Sequence, residues 1–205
     1  MIKMNEMKVR LTLLEEALGT ASNNPEVHAE FIASKAKDAK TREEEIEAIG
    51  VEAETEKGMT VFARNKAGQP IFWDYQIRGM FKDACGMLRN VPGSESKKLT
   101  NYKKKIDGLI FVKEREIPIH FDGKVGNCQR PLRGQTAQGE RISLANSETV
   151  PVGSYIEFTI CWYPDDKKLI TRELFEEWLT YGRIRGLGQW RNSGKGIYSW
   201  EEIFE

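Results

Sequence analysis

Near the carboxyl end of the chain, one short run combines residue types that bind negatively charged oxygen. Residues Gly186–Gly196 read Gly-Leu-Gly-Gln-Trp-Arg-Asn-Ser-Gly-Lys-Gly. The glycines permit positive φ angles and let backbone N–H groups approach a ligand, and successive N–H groups in such a loop form an anion-binding nest. Arg191 and Lys195 add positive charge, and Trp190 offers a ring on which a base can stack. The run therefore predicts a phosphate-binding loop.

The spacing in this run differs from that of two known phosphate motifs. Lys195 is followed by Gly196 where a P-loop has Ser or Thr. The run also follows a predicted helix, whereas a P-loop and a dinucleotide fingerprint both precede one. A second interpretation is a helix end that uses glycine as its cap. The residues alone leave both interpretations open.

Charge is segregated along the chain, although it sums to zero. Lys and Arg number 31, as do Asp and Glu. Residues 1–60 hold thirteen acids against eight bases, and residues 78–133 hold thirteen bases against six acids. Neutrality excludes a wholly basic nucleic-acid binder, but it permits a basic face. The lysines at positions 97, 98 and 103–105 are expected either on such a face or on a solvated helix.

The elements that position the glycine run follow from apolar periodicity. Val9, Leu11 and Leu13 alternate with polar residues, which predicts a half-buried strand, and Tyr155–Trp162 alternates in the same way. Lys168–Arg185 has one apolar face and predicts a helix that runs directly into the loop. A second helix is predicted from Asp74, its expected N-cap, with an apolar stripe formed by Ile77, Phe81, Cys85 and Leu88.

The order of strand, helices, strands, helix and strand favours an α+β fold over a doubly wound sheet. We expect a single domain over residues 1–205. It carries a charged helical insertion at about 21–57. A long loop is expected at about 122–140, where Gly, Asn, Gln and Arg predominate.

Four segments in order resemble the RAMP superfamily, CRISPR-associated proteins built on RNA-recognition-like ferredoxin folds. They are the opening strand Lys8–Leu13 with Leu18–Thr20 after it, the helix start Tyr75–Lys82, the strand entry Glu148–Phe158 and the run Gly186–Gly196. The sequence is most similar to the backbone subunits that bind guide RNA, and a stand-alone member from a mobile element also fits. The resemblance implies a ferredoxin-like, RRM-like antiparallel sheet with helices on one face and loop insertions.

The resemblance also implies a function. The chain is expected to bind RNA without catalysis and with no metal or cofactor. Its expected partners are RNA or a nucleotide, CRISPR-type or other defence-complex proteins, and a second copy of itself. The expected RNA- or phosphate-binding residues are Arg78, Lys82, Arg130, Arg133, Gly186, Gly188, Trp190, Arg191, Gly194, Lys195 and Gly196.

Three alternatives remain open. One is a metal-independent endoribonuclease, for which His120 is the candidate base because the second histidine, His28, lies in the charged insertion. The others are phage-type counter-defence proteins, one that sequesters a small nucleotide and one that blocks a defence complex. The acidic residues that motivate the blocking version are Glu43, Glu44, Glu45 and Glu47. The three cysteines are expected to be reduced thiols in the core.

The sequence has no recognisable secretory signal and no apolar span, which predicts a cytoplasmic protein. If a phage encodes the chain, the expected compartment is the host cytoplasm.

Overall fold

The computed structural model describes residues 3–22, 58–136 and 139–204. The chain divides into two compact units. Unit 1 comprises Met1–Ala17, Arg64–Gly123 and Pro151–Glu205, and unit 2 comprises Leu18–Ala63 and Lys124–Val150. The insertion expected at about 21–57 belongs to unit 2, and beyond Ser22 it lies outside the described residues.

The described strands and helices follow in chain order. They are β1 (Asn5–Leu13), β2 (Ala17–Leu18), β3 (Ala21–Ser22), β4 (Thr60–Val61), β5 (Ala63–Arg64), β6 (Pro70–Trp73), α1 (Asp74–Leu88), α2 (Tyr102–Leu109), β7 (Ile110–Val112), β8 (Glu116–Pro118), β9 (Gly126–Thr136), β10 (Gly139–Val150), β11 (Tyr155–Trp162), α3 (Arg172–Arg185) and β12 (Tyr198–Glu202).

Unit 1 is built on a four-stranded sheet with the order β12-β1-β11-β7. Every neighbouring pair in it is antiparallel. Along the chain its elements run β1, α1, β7, β11, α3, β12, which is the βαββαβ arrangement of ferredoxin-like folds. The α+β, ferredoxin-like fold expected from the sequence is confirmed.

Strand β1 lies in the middle of this sheet, between β11 and β12. Its residues Met7, Val9, Leu11 and Leu13 are buried, while the polar residues between them are half-buried. The alternation arises because successive side chains of a strand point to opposite faces of the sheet. The predicted strand is therefore confirmed, and it begins three residues earlier than residue 8.

Helix α1 packs three of the four predicted stripe residues into the core, while the fourth, Leu88, is half-buried. Ile77, Phe81 and Cys85 are fully buried. Its start differs by one residue, because Trp73 is the N-cap and Asp74 is the first helical residue. The Gln76 side chain accepts a hydrogen bond from the Trp73 N–H at 2.7 Å, which satisfies one of the unpaired amides at the helix start.

Helix α3 lies against α1 and contributes the largest core side chains. Trp178 and Phe175 are fully buried, and their ring centroids lie 5.5 Å apart in an edge-to-face arrangement. Phe81 of α1 lies 5.5 Å from the Trp178 ring. Truncating one buried aromatic in such a cluster costs about 3–5 kcal/mol. This packing fixes the carboxyl end of α3, where the glycine run begins.

Helix α2 and a second sheet complete unit 1. The sheet has the order β5-β6-β8. Helix α2 is anchored by the buried Ile106 and by an ion pair from Lys105 to Asp165, whose side chain is 2% exposed. A short 3₁₀ turn at Ser96–Lys98 precedes it.

Unit 2 contains a strand where a loop was expected. Residues 126–136 form β9, which pairs with β10 from Gly126↔Thr149 to Thr136↔Gly139. The prediction of a long loop at about 122–140 is therefore wrong. The residues of β9 are poor strand formers by composition, and the strand is specified by the backbone ladder to β10. In the same unit, the buried Glu148 side chain accepts a hydrogen bond from the Phe62 N–H at 2.8 Å.

None of the helices in the described part of the chain combines the length and apolar character that a membrane span requires. Among the same residues, no group of three or more His, Cys, Asp and Glu side chains is placed to hold a metal ion.

Candidate functional site: the glycine loop

The glycine loop, residues 186–196, begins at a helix cap. Gly186 is the C-cap of α3 with a φ of 80°, and its N–H donates to the Gly182 carbonyl at 2.8 Å. A Cβ at Gly186 would overlap the carbonyl oxygen of Lys195. The left-handed φ and this close approach both require glycine. The interpretation of the first glycine as a helix cap is therefore confirmed.

The two ends of the loop close on each other. The Leu187 N–H donates to the Gly196 carbonyl at 2.9 Å, and the Gly196 N–H donates to the Glu16 carbonyl at 2.9 Å. Leu187 is buried, and a Cβ at Gly196 would overlap its carbonyl oxygen. The amides at the base of the loop therefore hold the loop closed and are not offered to a ligand.

The tip of the loop has a different character. Trp190 has a φ of 55°, Gly188 a φ of 85° and Gly194 a φ of 81°. Residues 191–193, between Trp190 and Gly194, form a 3₁₀ turn. The Gly194 N–H closes this turn by donating to the Arg191 carbonyl at 3.0 Å. No heavy atom lies within 4 Å of the position a Gly194 Cβ would take. The tip is therefore open to a ligand from the side of Gly194.

Charge at the tip is organised around a single carboxylate. Asp83 of α1 accepts hydrogen bonds from Arg191 at 2.9 Å and from Arg185 at 3.1 Å. Arg185 also donates to the Asn192 side chain at 2.6 Å. Two guanidinium groups thus share one carboxylate, so one positive charge at the tip has no counter-charge from Asp83.

Lys195 at the base is neutralised. Its ammonium group lies 2.5 Å from the Glu16 carboxylate, and both side chains are mostly covered. Glu16 lies on the segment that also receives the Gly196 amide, so this segment meets the loop twice. Lys195 therefore connects the loop to the segment that follows β1 through this ion pair.

A buried tyrosine, Tyr198, begins strand β12, which follows the loop. The Tyr198 hydroxyl donates to the Leu179 carbonyl at 3.2 Å, and a Cβ at Gly182 would overlap that hydroxyl. Burial raises the pKa of Tyr198, so the hydroxyl stays neutral and remains a donor. Gly182 is thus the contact that brings β12 close to α3, and the loop joins these two elements.

The predicted α1 cations are also paired within the chain. Arg78 lies 2.9 Å from Asp74, which also pairs with Arg115. Lys82 lies 2.5 Å from Asp107 of α2. Of the two, Lys82 is adjacent in sequence to Asp83, the carboxylate that serves the loop.

The remaining predicted residues belong to unit 2. Arg130 and Arg133 lie on β9, opposite Ala145 and Ile142 of β10. The side chain of Arg133 lies outside the described residues. Within unit 1, the structure places the seven predicted loop residues together in one segment.

Sequence reasoning missed the two residues that set the charge of the tip. Arg185 was included only as the end of a helix, and Asp83 received no role. Arg185 could have been noted because a cation adjoins the glycine run. Nothing local indicates Asp83, because it is 108 residues from Arg191.

Comparison with known proteins supports the fold. No family model and no curated protein matches the sequence. Among solved structures, the chain is similar to one in the cryo-EM structure of the type III-B Cmr-beta bound to cognate target RNA, with a TM-score of 0.52 and 12% identity. The match covers 98% of this chain and 61% of that chain, so this chain spans less than two thirds of its neighbour. At 12% identity the similarity concerns the fold alone.

Proposed function

We propose that this protein is a non-catalytic, RAMP-like RNA-binding protein that seats RNA phosphate at the tip of the glycine loop. One observation carries the proposal: Arg185 and Arg191 share the single carboxylate of Asp83 beside an open, left-handed turn. A phosphate that approaches Gly194 meets two guanidinium groups, and their combined positive charge exceeds the negative charge of Asp83. Guanidinium groups bind phosphate through two parallel hydrogen bonds.

Binding of this kind has to compete with the internal ion pairs. The side chains of Arg191 and Asp83 are 26% and 25% exposed, so water reaches the pair. Ion pairs with solvent access contribute about 0–1 kcal/mol, and the charge-assisted bonds to a phosphate contribute more than that. A phosphodiester can therefore displace one arginine from Asp83 while the other arginine keeps the carboxylate paired.

The comparison supports the same class of ligand. The similar chain belongs to the type III-B Cmr-beta structure, which is bound to cognate target RNA. We carry that ligand class to this chain as part of the proposal, together with defence-complex proteins as partners and the cytoplasm as the compartment. The ring of Trp190, at the start of the turn, supplies a stacking face of the kind that single-stranded RNA uses.

The test is a titration of a fluorescent single-stranded RNA of about twelve nucleotides with the full chain. We expect Arg191→Ala to weaken binding about tenfold, because it removes one charge-assisted contact. Lys167→Ala, at an exposed lysine away from the loop, is the charge-matched control and should change affinity less than twofold. Equal binding by Arg191→Ala and the wild type would contradict the proposal.

A specific cavity favours a second candidate, the binding of a small nucleotide. The cavity of about 610 Å³ lies in unit 1 and is lined in part by Gln69, His120, Asp122 and Tyr155. The His120 and Tyr155 rings are stacked at 4.8 Å, and paired backbone bonds between these two residues hold them together. The volume falls within the usual range for small-molecule sites. Calorimetry with mononucleotides and dinucleotides would distinguish this candidate, because it predicts tight binding that His120→Ala abolishes and Arg191→Ala leaves intact.

We also propose that the protein does not cleave RNA. His120 is the histidine that the described residues contain, and it is held in the ring stack. We expect radiolabelled RNA to stay intact after a long incubation with the wild-type protein without metal. Cleavage that His120→Ala removes would replace the binding proposal with the endoribonuclease alternative.

A further inference from the structure

A second cationic surface lies where α1 leads into α2, separate from the glycine loop. It surrounds an open cavity of about 720 Å³. We call it the lysine patch, and its lining residues are Arg89, Thr100, Asn101, Tyr102, Lys103 and Lys104.

The cations of the lysine patch have no carboxylate partners. Arg89, Lys103 and Lys104 are exposed, and within the described residues none of them lies within ion-pair distance of an acid. The acids nearby are already engaged with other bases. Glu95 pairs with Lys98, Asp107 with Lys82, and Asp165 with Lys105. Three positive charges are thus left uncompensated around one concave surface.

The floor of the patch is formed by Tyr102, which packs on α1 and contacts Arg89. Tyr102 lies against α1 at Gly86, where an added Cβ would come within 3.0 Å of the tyrosine hydroxyl. The Arg89 guanidinium carbon lies 5.1 Å from the centroid of the Tyr102 ring. This cation–π contact holds the guanidinium over the ring, and Arg89 remains exposed. The cation is therefore positioned before any ligand arrives.

The backbone that leads into the patch is fixed by one glutamate. Glu177 of α3 accepts hydrogen bonds from the Glu95 N–H at 2.7 Å, the Ser96 N–H at 3.1 Å and the Ser96 hydroxyl at 2.5 Å. The same hydroxyl accepts a bond from the indole N–H of Trp178 at 2.9 Å. Leu99, one residue before the patch, is fully buried. The patch therefore rests on a scaffold that loses little entropy when a ligand binds.

We infer that the lysine patch is a second binding surface, and that its ligand is the phosphodiester backbone of single-stranded RNA. Ammonium and guanidinium groups without internal partners bind phosphates at no cost in broken ion pairs. An open surface with several cations suits a continuous chain of phosphates, and a base can stack on the exposed Arg89 guanidinium. The inference takes the identity of the ligand from the proposed function, but it assigns a different place on the molecule.

The experiment compares two variants that lose the same charge. Lys103→Gln/Lys104→Gln removes two patch cations, and Lys66→Gln/Lys124→Gln removes two exposed lysines elsewhere in the sequence. Each is titrated with the fluorescent twelve-nucleotide RNA over a range of salt concentrations. We expect the patch variant to bind about tenfold more weakly and to reduce the salt slope by roughly 1.4, since each single-strand phosphate contact contributes about 0.7. The control should differ from the wild type by less than twofold.

Two further measurements separate the possible failures. RNA that carries 4-thiouridine, after irradiation, should crosslink to a peptide that contains Tyr102. If Arg191→Ala weakens binding while the patch variant matches its control, the lysine patch is overturned and the proposed function stands. If the wild type binds no RNA even at low salt, both are overturned. A mononucleotide that competes as well as the RNA overturns the choice of a polymer.

Discussion

The glycine loop and the lysine patch carry similar charges in the sequence but present them differently in the fold. In the loop, Arg191 and Lys195 are held by Asp83 and Glu16. In the patch, Lys103 and Lys104 lack such partners within the described part of the chain. The loop is a conformationally specified site with partly neutralised cations. The patch carries cations without acidic partners in the described part of the chain, and its residues form no recognisable motif.

The difference shows that a glycine-rich motif and a cation without an acidic partner need not occur at the same place in the molecule. The glycines of the loop serve mainly to close its base, since Gly186 and Gly196 sit where any side chain would overlap a carbonyl. Under the proposed function, the affinity of the loop for phosphate depends on how strongly Asp83 and Glu16 hold the loop cations. For the inferred RNA binding by the patch, we expect affinity to depend on the number of cations and on salt, because exposed charges are screened within about 10 Å at 0.1 M ionic strength.

The largest expected effect tests whether the base of the loop is closed. Gly196→Ala should lower the free energy of unfolding by about 3 kcal/mol or more, because the residue has a φ of 72° and the new methyl group would overlap the Leu187 carbonyl. Gly194→Ala, at a φ of 81° with open space around it, should cost only about 1 kcal/mol. Urea denaturation measures both, and equal losses would show that the base is not closed.

The next effect tests whether the patch depends on its scaffold. Glu177→Gln should destabilise the protein by about 2 kcal/mol, because an amide replaces a carboxylate that accepts three hydrogen bonds. Glu176→Gln, at the neighbouring half-buried residue that pairs with Arg172, should cost about 0.5 kcal/mol or less. Urea denaturation gives these values. A Glu177→Gln protein as stable as the Glu176→Gln control would show that the Glu177 hydrogen bonds do not stabilise the segment that leads into the patch.

A third change asks whether Asp83 competes with RNA. Asp83→Asn removes the carboxylate that holds Arg185 and Arg191, so we expect RNA affinity at low salt to rise about fivefold. Glu201→Gln removes an exposed acid that pairs with Arg10 on the sheet, and it should leave affinity within twofold. Anisotropy titration measures both variants. Unchanged affinity in Asp83→Asn would mean that the tip of the loop does not contact RNA.

The smallest expected effect concerns the anchor of α2 at low pH. Burial alone would raise the pKa of Asp165, but hydrogen bonds from Lys105 and from the Leu169 and Ile170 amides outweigh burial and lower the pKa. A carboxyl whose pKa is lowered on folding contributes stability above its unfolded pKa of about 3.9 and loses it as the pH falls through the folded value. The difference in unfolding free energy between wild type and Asp165→Asn should therefore shrink from pH 6 to pH 3. A constant difference, measured by urea denaturation at each pH, would contradict this account.

Much of unit 1 could be predicted from the sequence because its signals are local. The alternation in Tyr155–Trp162 matches β11 at both ends, and the stripe Ile77, Phe81 and Cys85 is the buried face of α1. The end of α3 at Arg185, with a glycine cap after it, was also predicted. Each of these rests on the period of side chains along one element, which neighbouring residues determine.

Strand β9 could not be predicted, and its failure has a physical cause. Its residues include Gly126, Asn127 and Pro131, which are depleted in strands, so composition indicated a loop. The strand forms because β10 offers a continuous ladder of backbone partners. A hydrogen-bonded partner in another segment can outweigh a weak local preference, and the local pattern does not reveal it.

By itself, the sequence determined which stretches are strands and helices in the core, and where a glycine-rich turn must follow α3. Only the tertiary structure decided which cations face solvent without a partner. Arg191 meets Asp83 across 108 residues and Lys195 meets Glu16 across 179, whereas Lys103 and Lys104 meet no acid in the described chain. Periodicity acts over a few residues, but Coulomb attraction acts between whichever charges the fold brings within a few ångströms, and that depends on the packing of the whole chain.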